Sequence, residues 1–92
     1  MQLARPTLVR SEVKARVLEL LREIAKIDPD SLTEDSSLDE DIRLESVAFV
    51  ELQVALEDEY QIEIDPIQVV ELNRLGSIID YIHELAADGS RA

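Results

Sequence analysis

The chain contains no cysteine, so neither a disulfide framework nor a thiolate metal site is open to it. Its two glycines, Gly76 and Gly89, stand far apart, and no glycine-rich loop is available to cradle a phosphate. Aromatic residues make up only 3%, so Leu, Ile and Val must build the core, and the 46% apolar content allows a modest one. At 92 residues this is a single small domain. The one histidine, His83, is far in sequence from any candidate nucleophile, and a surface position is its expected role. No His, Cys or Lys neighbours Ser46, and the adjacent Glu45, with an ordinary pKa of about 4.3, is a poor base for a hydroxyl. A Ser-His-Asp hydrolase therefore has no local support. No apolar run approaches the roughly 20 residues that span a bilayer. The first dozen residues are polar and basic with no apolar segment after them, so no signal peptide is expected, and a cytoplasmic, disulfide-free monomer is.

Bases are nearly missing from the middle of the chain. Residues 28–65 hold 14 of the 21 acids and one base, Arg43, whereas residues 1–27 hold three acids and six bases. The net charge of −12 is thus concentrated where it repels nucleic acid phosphates and anionic lipid headgroups and attracts a partner with a basic patch. A calcium loop starting at Asp28 would need an oxygen ligand at its fifth place, a glycine at its sixth and a glutamate at its twelfth. Leu32, Thr33 and Asp39 stand there, and the EF-hand is rejected.

Along the chain, Pro6 breaks any early helix, and residues 1–8 read as a tail. The spacing of Val13, Val17, Leu20, Leu21 and Ile24 predicts a helix over residues 9–26, capped by Ser11 or beginning one turn earlier. Asp28-Pro29 is expected to end it. A long connection rich in Ser, Asp and Glu runs to about residue 45 and is either mobile or functional. Leu32, Leu38, Ile42 and Leu44 are its expected anchors, with a short helical turn over residues 38–42. Ile62 and Ile64 point inward from an extended link, because a lone strand would have no partner. Asp65-Pro66 starts a short helix that runs to about Leu72. Leu75, Ile78, Ile79 and Ile82 mark a last helix over residues 74–87, capped by Asn73 and weakened by Gly76 in its first turn. Residues 88–92 should fray. The expected architecture is an all-α four-helix bundle, three main helices and a short third one, with a long loop between helices one and two.

The organising stretch is LESVAFVELQVALEDEY, residues 44–60. Phe49, Leu52, Leu56 and Tyr60 recur at the three- and four-residue steps of a buried helix face. Val47, Val50 and Val54 form a second apolar line rotated away from it, and Glu45, Glu51, Glu57, Asp58 and Glu59 stud the stretch. Exposed valines on an acidic helix suit partner contact, although core packing is the other reading. Ser46 falls at the helix start, where unpaired N–H groups and the helix dipole favour a negative group such as a phosphate ester. Taken alone it also reads as a simple N-cap serine.

These residues resemble the acyl carrier proteins and peptidyl carrier domains, whose signature reads roughly D-L-G-x-D-S-L-x-x-V-E-L-x-x-x-L-E-x-x-F-x-I-x-I. DIRLESVAFVELQVALEDEY at residues 41–60 and QIEIDP at 61–66 carry the likeness, which extends over residues 9–87 and includes IDYI at 79–82. The resemblance implies a carrier domain over residues 9–87 in which Ser46 bears 4′-phosphopantetheine, installed from coenzyme A by a magnesium-dependent phosphopantetheinyl transferase. It implies a noncatalytic, discrete carrier of acyl or aminoacyl thioesters, loaded by ligases or transferases and visited by synthases or tailoring enzymes with basic docking patches. Glu45, Val47, Val50, Glu51, Val54, Glu57, Asp58 and Arg43 are the implied partner contacts. Three positions depart from the signature: Glu45 for Asp, Val47 for Leu, and Arg43 where glycine is common. Arg43 is either a contact for an anionic cargo or partner acid, or a solvated loop residue. The departures point to a specialised polyketide, nonribosomal peptide or related pathway. The alternatives are the housekeeping fatty acid carrier and an unmodified carrier-like interaction module.

Overall fold

The computed structural model describes residues 8–89. They form four helices: α1 Arg10–Ala25, α2 Ser46–Tyr60, α3 Pro66–Leu72 and α4 Leu75–Gly89. The expected all-α bundle with one short helix is therefore observed. The expected N-terminal tail lies outside the described residues except for Leu8, as do residues 90–92. The last helix continues two residues beyond the expected Ala87, to Gly89.

α1 buries Val13, Val17, Leu20 and Leu21, one stripe at helical spacing, against α4 and α2. Burying each such side chain contributes about 1.5–3 kcal/mol. Ser11 does not cap this helix: Val9 is the N-cap, no side chain supplies the cap bond, and Ser11 lies exposed in the first turn. Nor does Asp28-Pro29 end it. Lys26 turns the chain in the left-handed region at φ 61°, and the N–H groups of Lys26 and Ile27 close onto the carbonyls of Arg22 and Leu21 at 3.1 and 3.4 Å. Asp28 instead caps a separate 3₁₀ turn, Pro29–Ser31, accepting the N–H of Asp30 at 3.0 Å.

The long connection is tied down by hydrogen bonds along its length. Ser36 Oγ accepts the N–H of Thr33 at 2.9 Å, and an Asp41 carboxylate oxygen accepts that of Ser37 at 2.9 Å. Backbone bonds join it to the start of α4: Leu38 N–H to the Asn73 carbonyl at 2.8 Å, Leu75 N–H to Ser36 at 2.9 Å, and Gly76 N–H to Glu34 at 2.8 Å. Gly76 therefore does more than weaken a helix. It lets the loop approach so closely that a Cβ there would lie 2.9 Å from Glu34 Cβ. Arg10, at the head of α1, grips Glu34 with two guanidinium nitrogens at 2.8 and 2.9 Å and the Gly76 carbonyl at 3.1 Å. The expected turn at Leu38–Ile42 is a π-type turn, and Ile42 is buried in the core.

Asn73 is not the cap of α4. It sits at φ 63° as the C-cap of α3, and its side-chain oxygen accepts the N–H of Leu38 at 3.1 Å. Asp65 starts α3 as expected, accepting the N–H of Ile67 at 3.0 Å. The core is aliphatic: Leu21, Ile79, Ile82, Val13 and Val17 are its largest fully buried side chains. His83 is half-buried, and its Nε2–H donates to the Leu8 carbonyl at 3.0 Å.

The candidate attachment site

α2 sits shallowly on this core. Of the expected stripe only Leu56 is buried; Phe49, Leu52 and Tyr60 are half-buried. Its outer face, with Ser46, Val47, Val50, Glu51, Val54 and Asp58, is exposed to solvent. Its N-terminus is set by Arg43, which reverses the chain at φ 57° after the π-type turn, and by Glu45 in extended conformation at ψ 157°. The left-handed geometry at Arg43 gives the physical reason that glycine suits this position. Arg43 Nε donates to the Glu40 carbonyl at 3.1 Å, which holds the loop arginine close to its own turn.

Ser46 is the first residue of α2, exposed, and is not an N-cap. The N-cap is Glu45, and no side chain accepts from the first-turn N–H groups. The hydroxyl of Ser46 takes no protein hydrogen-bond partner among the described residues. The unpaired N–H groups and the positive end of the helix thus face the same solvent as the hydroxyl. Beside Ser46 lies an open trough of about 250 Å³ between α2, the loop and α3. Leu38, Leu44, Phe49 and Val70 form its apolar wall, while Asp39 and Asn73 line it with polar groups. An exposed nucleophile, an uncapped helix start and an adjacent trough fit a phosphodiester-linked arm in both charge and room.

The other sequence-predicted residues divide. Val47 is 69% exposed, Val50 and Val54 55% each, so core packing does not explain them. Glu45, Glu51 and Asp58 are exposed on the same helix. Glu57 is different: it is half-buried, and its Oε2 accepts the N–H of Ile64 at 2.8 Å, which fixes the link after α2. Sequence reasoning missed Ile67 and Val70 on α3, 67% and 59% exposed. The signal was present, because a seven-residue helix cannot bury Ile67, Val69, Val70 and Leu72 on one face.

The family model for the phosphopantetheine attachment site matches residues 15–82. The chain is 30% identical over 83 residues to an acyl carrier protein of Rhodococcus erythropolis, covering 90% of this chain and 91% of that one. It is 28% identical over 83 residues to the meromycolate extension acyl carrier proteins of Mycobacterium leprae and Mycolicibacterium smegmatis, covering 90% of this chain and 72% and 84% of theirs. Among the described residues no helix is long and apolar enough to cross a membrane. With its helical bundle and a match across most of its length, the chain belongs to the acyl carrier protein family, whose members are carriers bearing covalent 4′-phosphopantetheine and work with phosphopantetheinyl transferases and synthases.

Proposed function

We propose that Ser46 is the attachment residue and that the protein shuttles acyl groups, as a discrete carrier, among the enzymes of a specialised biosynthetic pathway. The observation that carries this reading is the exposed hydroxyl of Ser46, without a hydrogen-bond partner among the described residues, at a helix start with no side-chain cap. Its oxygen attacks the pantetheine-side phosphorus of the coenzyme A pyrophosphate, the P–O bond to the other phosphate breaks, and adenosine 3′,5′-bisphosphate leaves. The base must come from the transferase, since the trough offers no histidine, lysine or cysteine. The arm's terminal thiol supplies the sulfur that this cysteine-free chain lacks and holds the cargo as a thioester. The first-turn N–H groups of α2 stabilise the phosphodiester charge on Ser46. Glu45, Glu51 and Asp58, with Val47, Val50 and Val54 among them, offer partners an apolar strip with an acidic rim. Such a strip complements a basic docking patch. Glu57, held by the Ile64 N–H, and Arg43, held by the Glu40 carbonyl, shape the two ends of that surface.

Two features support a specialised pathway: Arg43 occupies a left-handed position despite its side chain, and Val47 is a small anchor beside the serine. The housekeeping fatty acid carrier is the second reading, favoured by likeness over 90% of this chain to a protein named simply acyl carrier protein. Incubation with coenzyme A, Mg²⁺ and a broad phosphopantetheinyl transferase should add the arm's mass to the chain but not to Ser46→Ala. An unchanged wild-type mass would leave an unmodified interaction module. Efficient charging of the loaded carrier by a fatty acid malonyl transferase would move the protein to the housekeeping role.

A further inference from the structure

Two open grooves meet at Val54, and neither shares a lining residue with the trough beside Ser46. One, of about 560 Å³, lies between α1 and α2 over Ile24, Val50 and Ala55. The other, of about 480 Å³, runs from α2 onto the link that follows it, over Ile62. Both have room for whole side chains, and Val50 and Val54 each stand 55% exposed there. Five acids and no base line the pair: Glu23 and Glu51 on one groove, Glu57, Asp58 and Glu63 on the other. Glu57 is engaged by the Ile64 N–H. Among the described residues no ion pair occupies the carboxylates of Glu23, Glu51, Asp58 and Glu63. Even Lys26 donates to the backbone carbonyl of Glu23, at 3.1 Å, and makes no ion pair with its carboxylate. An apolar floor rimmed by unpaired acids marks an interaction surface.

We propose that Glu23 and Ile24 of α1, Val50 and Val54 of α2, and Ile62 and Glu63 of the link form one surface that docks a basic amphipathic helix of a partner protein. It carries the docking strip off α2 onto α1 and the link, and it does not require Ser46 to be modified. The sign of the charge chooses the partner: the rim repels nucleic acid and anionic lipid and attracts Lys and Arg. A second copy docking face to face would bring the same acids together. Shape chooses a helix. A strand partner finds no sheet edge, because no strand exists among the described residues, and a polyproline segment finds no aromatic wall in either groove. Val50 and Val54 stand four residues apart, about 6 Å along α2, the step at which a helix repeats its own apolar residues. Val54 lies eight residues beyond Ser46, about 12 Å along the axis, so a helix seated there leaves the hydroxyl and the arm clear.

The probe is a fluorescent helical peptide about four turns long, with leucines along one face and lysines on both flanks. Its affinity for the full chain is read by anisotropy at about 0.15 M salt, where exposed charges more than about 8 Å apart are largely screened. Glu23→Lys and Glu63→Lys, both at exposed positions off α2, should each weaken binding roughly three- to tenfold. Val54→Ser should weaken it by roughly tenfold. Glu84→Lys, an equal charge change at an exposed position on α4 outside both grooves, should cost less than about twofold. Amide shifts on titration should move most around Ile24, Val54 and Ile62. Ser46→Ala should bind as wild type does, so a failure of this surface and a failure of Ser46 as the attachment residue are read separately. An equal loss in Glu84→Lys would reduce the effect to general charge attraction and overturn the proposal. Shifts confined to the first turn of α2, or no binding by wild type, would do the same. A dimer in sedimentation that Glu23→Lys disrupts would give the surface to a second copy instead.

Discussion

Replacing Gly76 by alanine should weaken this fold, although helix propensity argues the other way. In a helix interior the change gains about 1 kcal/mol, and less in a first turn. Against it stands Glu34. A Cβ on Gly76 would lie 2.7 Å from Glu34 Oε1, 2.9 Å from its Cβ and 3.3 Å from its carbonyl oxygen. The carboxylate alone would be cheap to move, but Arg10 holds it at 2.8 and 2.9 Å, and the Glu34 carbonyl is fixed by the Gly76 N–H at 2.8 Å. Overpacking against such a held group costs about 1–3 kcal/mol, so the net expectation is a loss of about 1–2 kcal/mol. For a domain of this size that lowers the melting temperature by about 4–8 °C per kcal/mol. Urea denaturation should show a lower midpoint with an unchanged slope. In a Glu34→Gly background two of the three close contacts disappear, and the same alanine should become neutral or stabilising. A stabilising Gly76→Ala in the wild-type background, or an equal loss in both backgrounds, would refute the close approach as the cause.

Lys26 holds a left-handed conformation at φ 61°, which costs an L-residue roughly 1 kcal/mol; Lys26→Gly should stabilise the fold by about 0.5–1 kcal/mol, read as a higher urea midpoint, and an unchanged midpoint would count against that strain. Hydrogen bonds from Arg10, then Lys14, hold the Glu34 carboxyl down at about 2 against its ordinary 4.5. A depressed carboxyl adds stability that is complete above pH 4.5 and is lost as the pH falls toward 2, so the melting curves of wild type and Glu34→Gln should differ above pH 4.5 and converge near pH 2. A gap that stayed constant down to pH 2 would contradict this assignment. Val54→Asp, at a site 55% exposed, should change stability by less than about 0.5 kcal/mol yet raise the KM of a partner enzyme for the carrier; an unaltered KM would remove Val54 from the docking strip.

Local pattern alone determined the helices and the place of Ser46 at the start of α2. Aliphatic spacing at three and four residues marks a buried stripe wherever it occurs, and Asp65-Pro66 starts a helix by chemistry contained in those two residues. The errors share one physical origin. Whether a side chain caps, and where a helix stops, depends on what lies across from it. Lys26, Gln61 and Asn73 end three helices in the left-handed region, which local preference favours only at the asparagine, and Asn73 turns its amide to a loop 35 residues earlier. Depth was equally beyond the linear reading. The apolar period of α2 gives a direction but not a distance, so its shallow seat, the exposure of Ile67 and Val70, and the internal bond of Glu57 appear only when α3 and α4 are in place. The same holds for the trough beside Ser46, whose walls come from a loop, α2 and α3. A chain can encode which face turns inward within one helical turn, but the space left between faces belongs to all the segments that meet there.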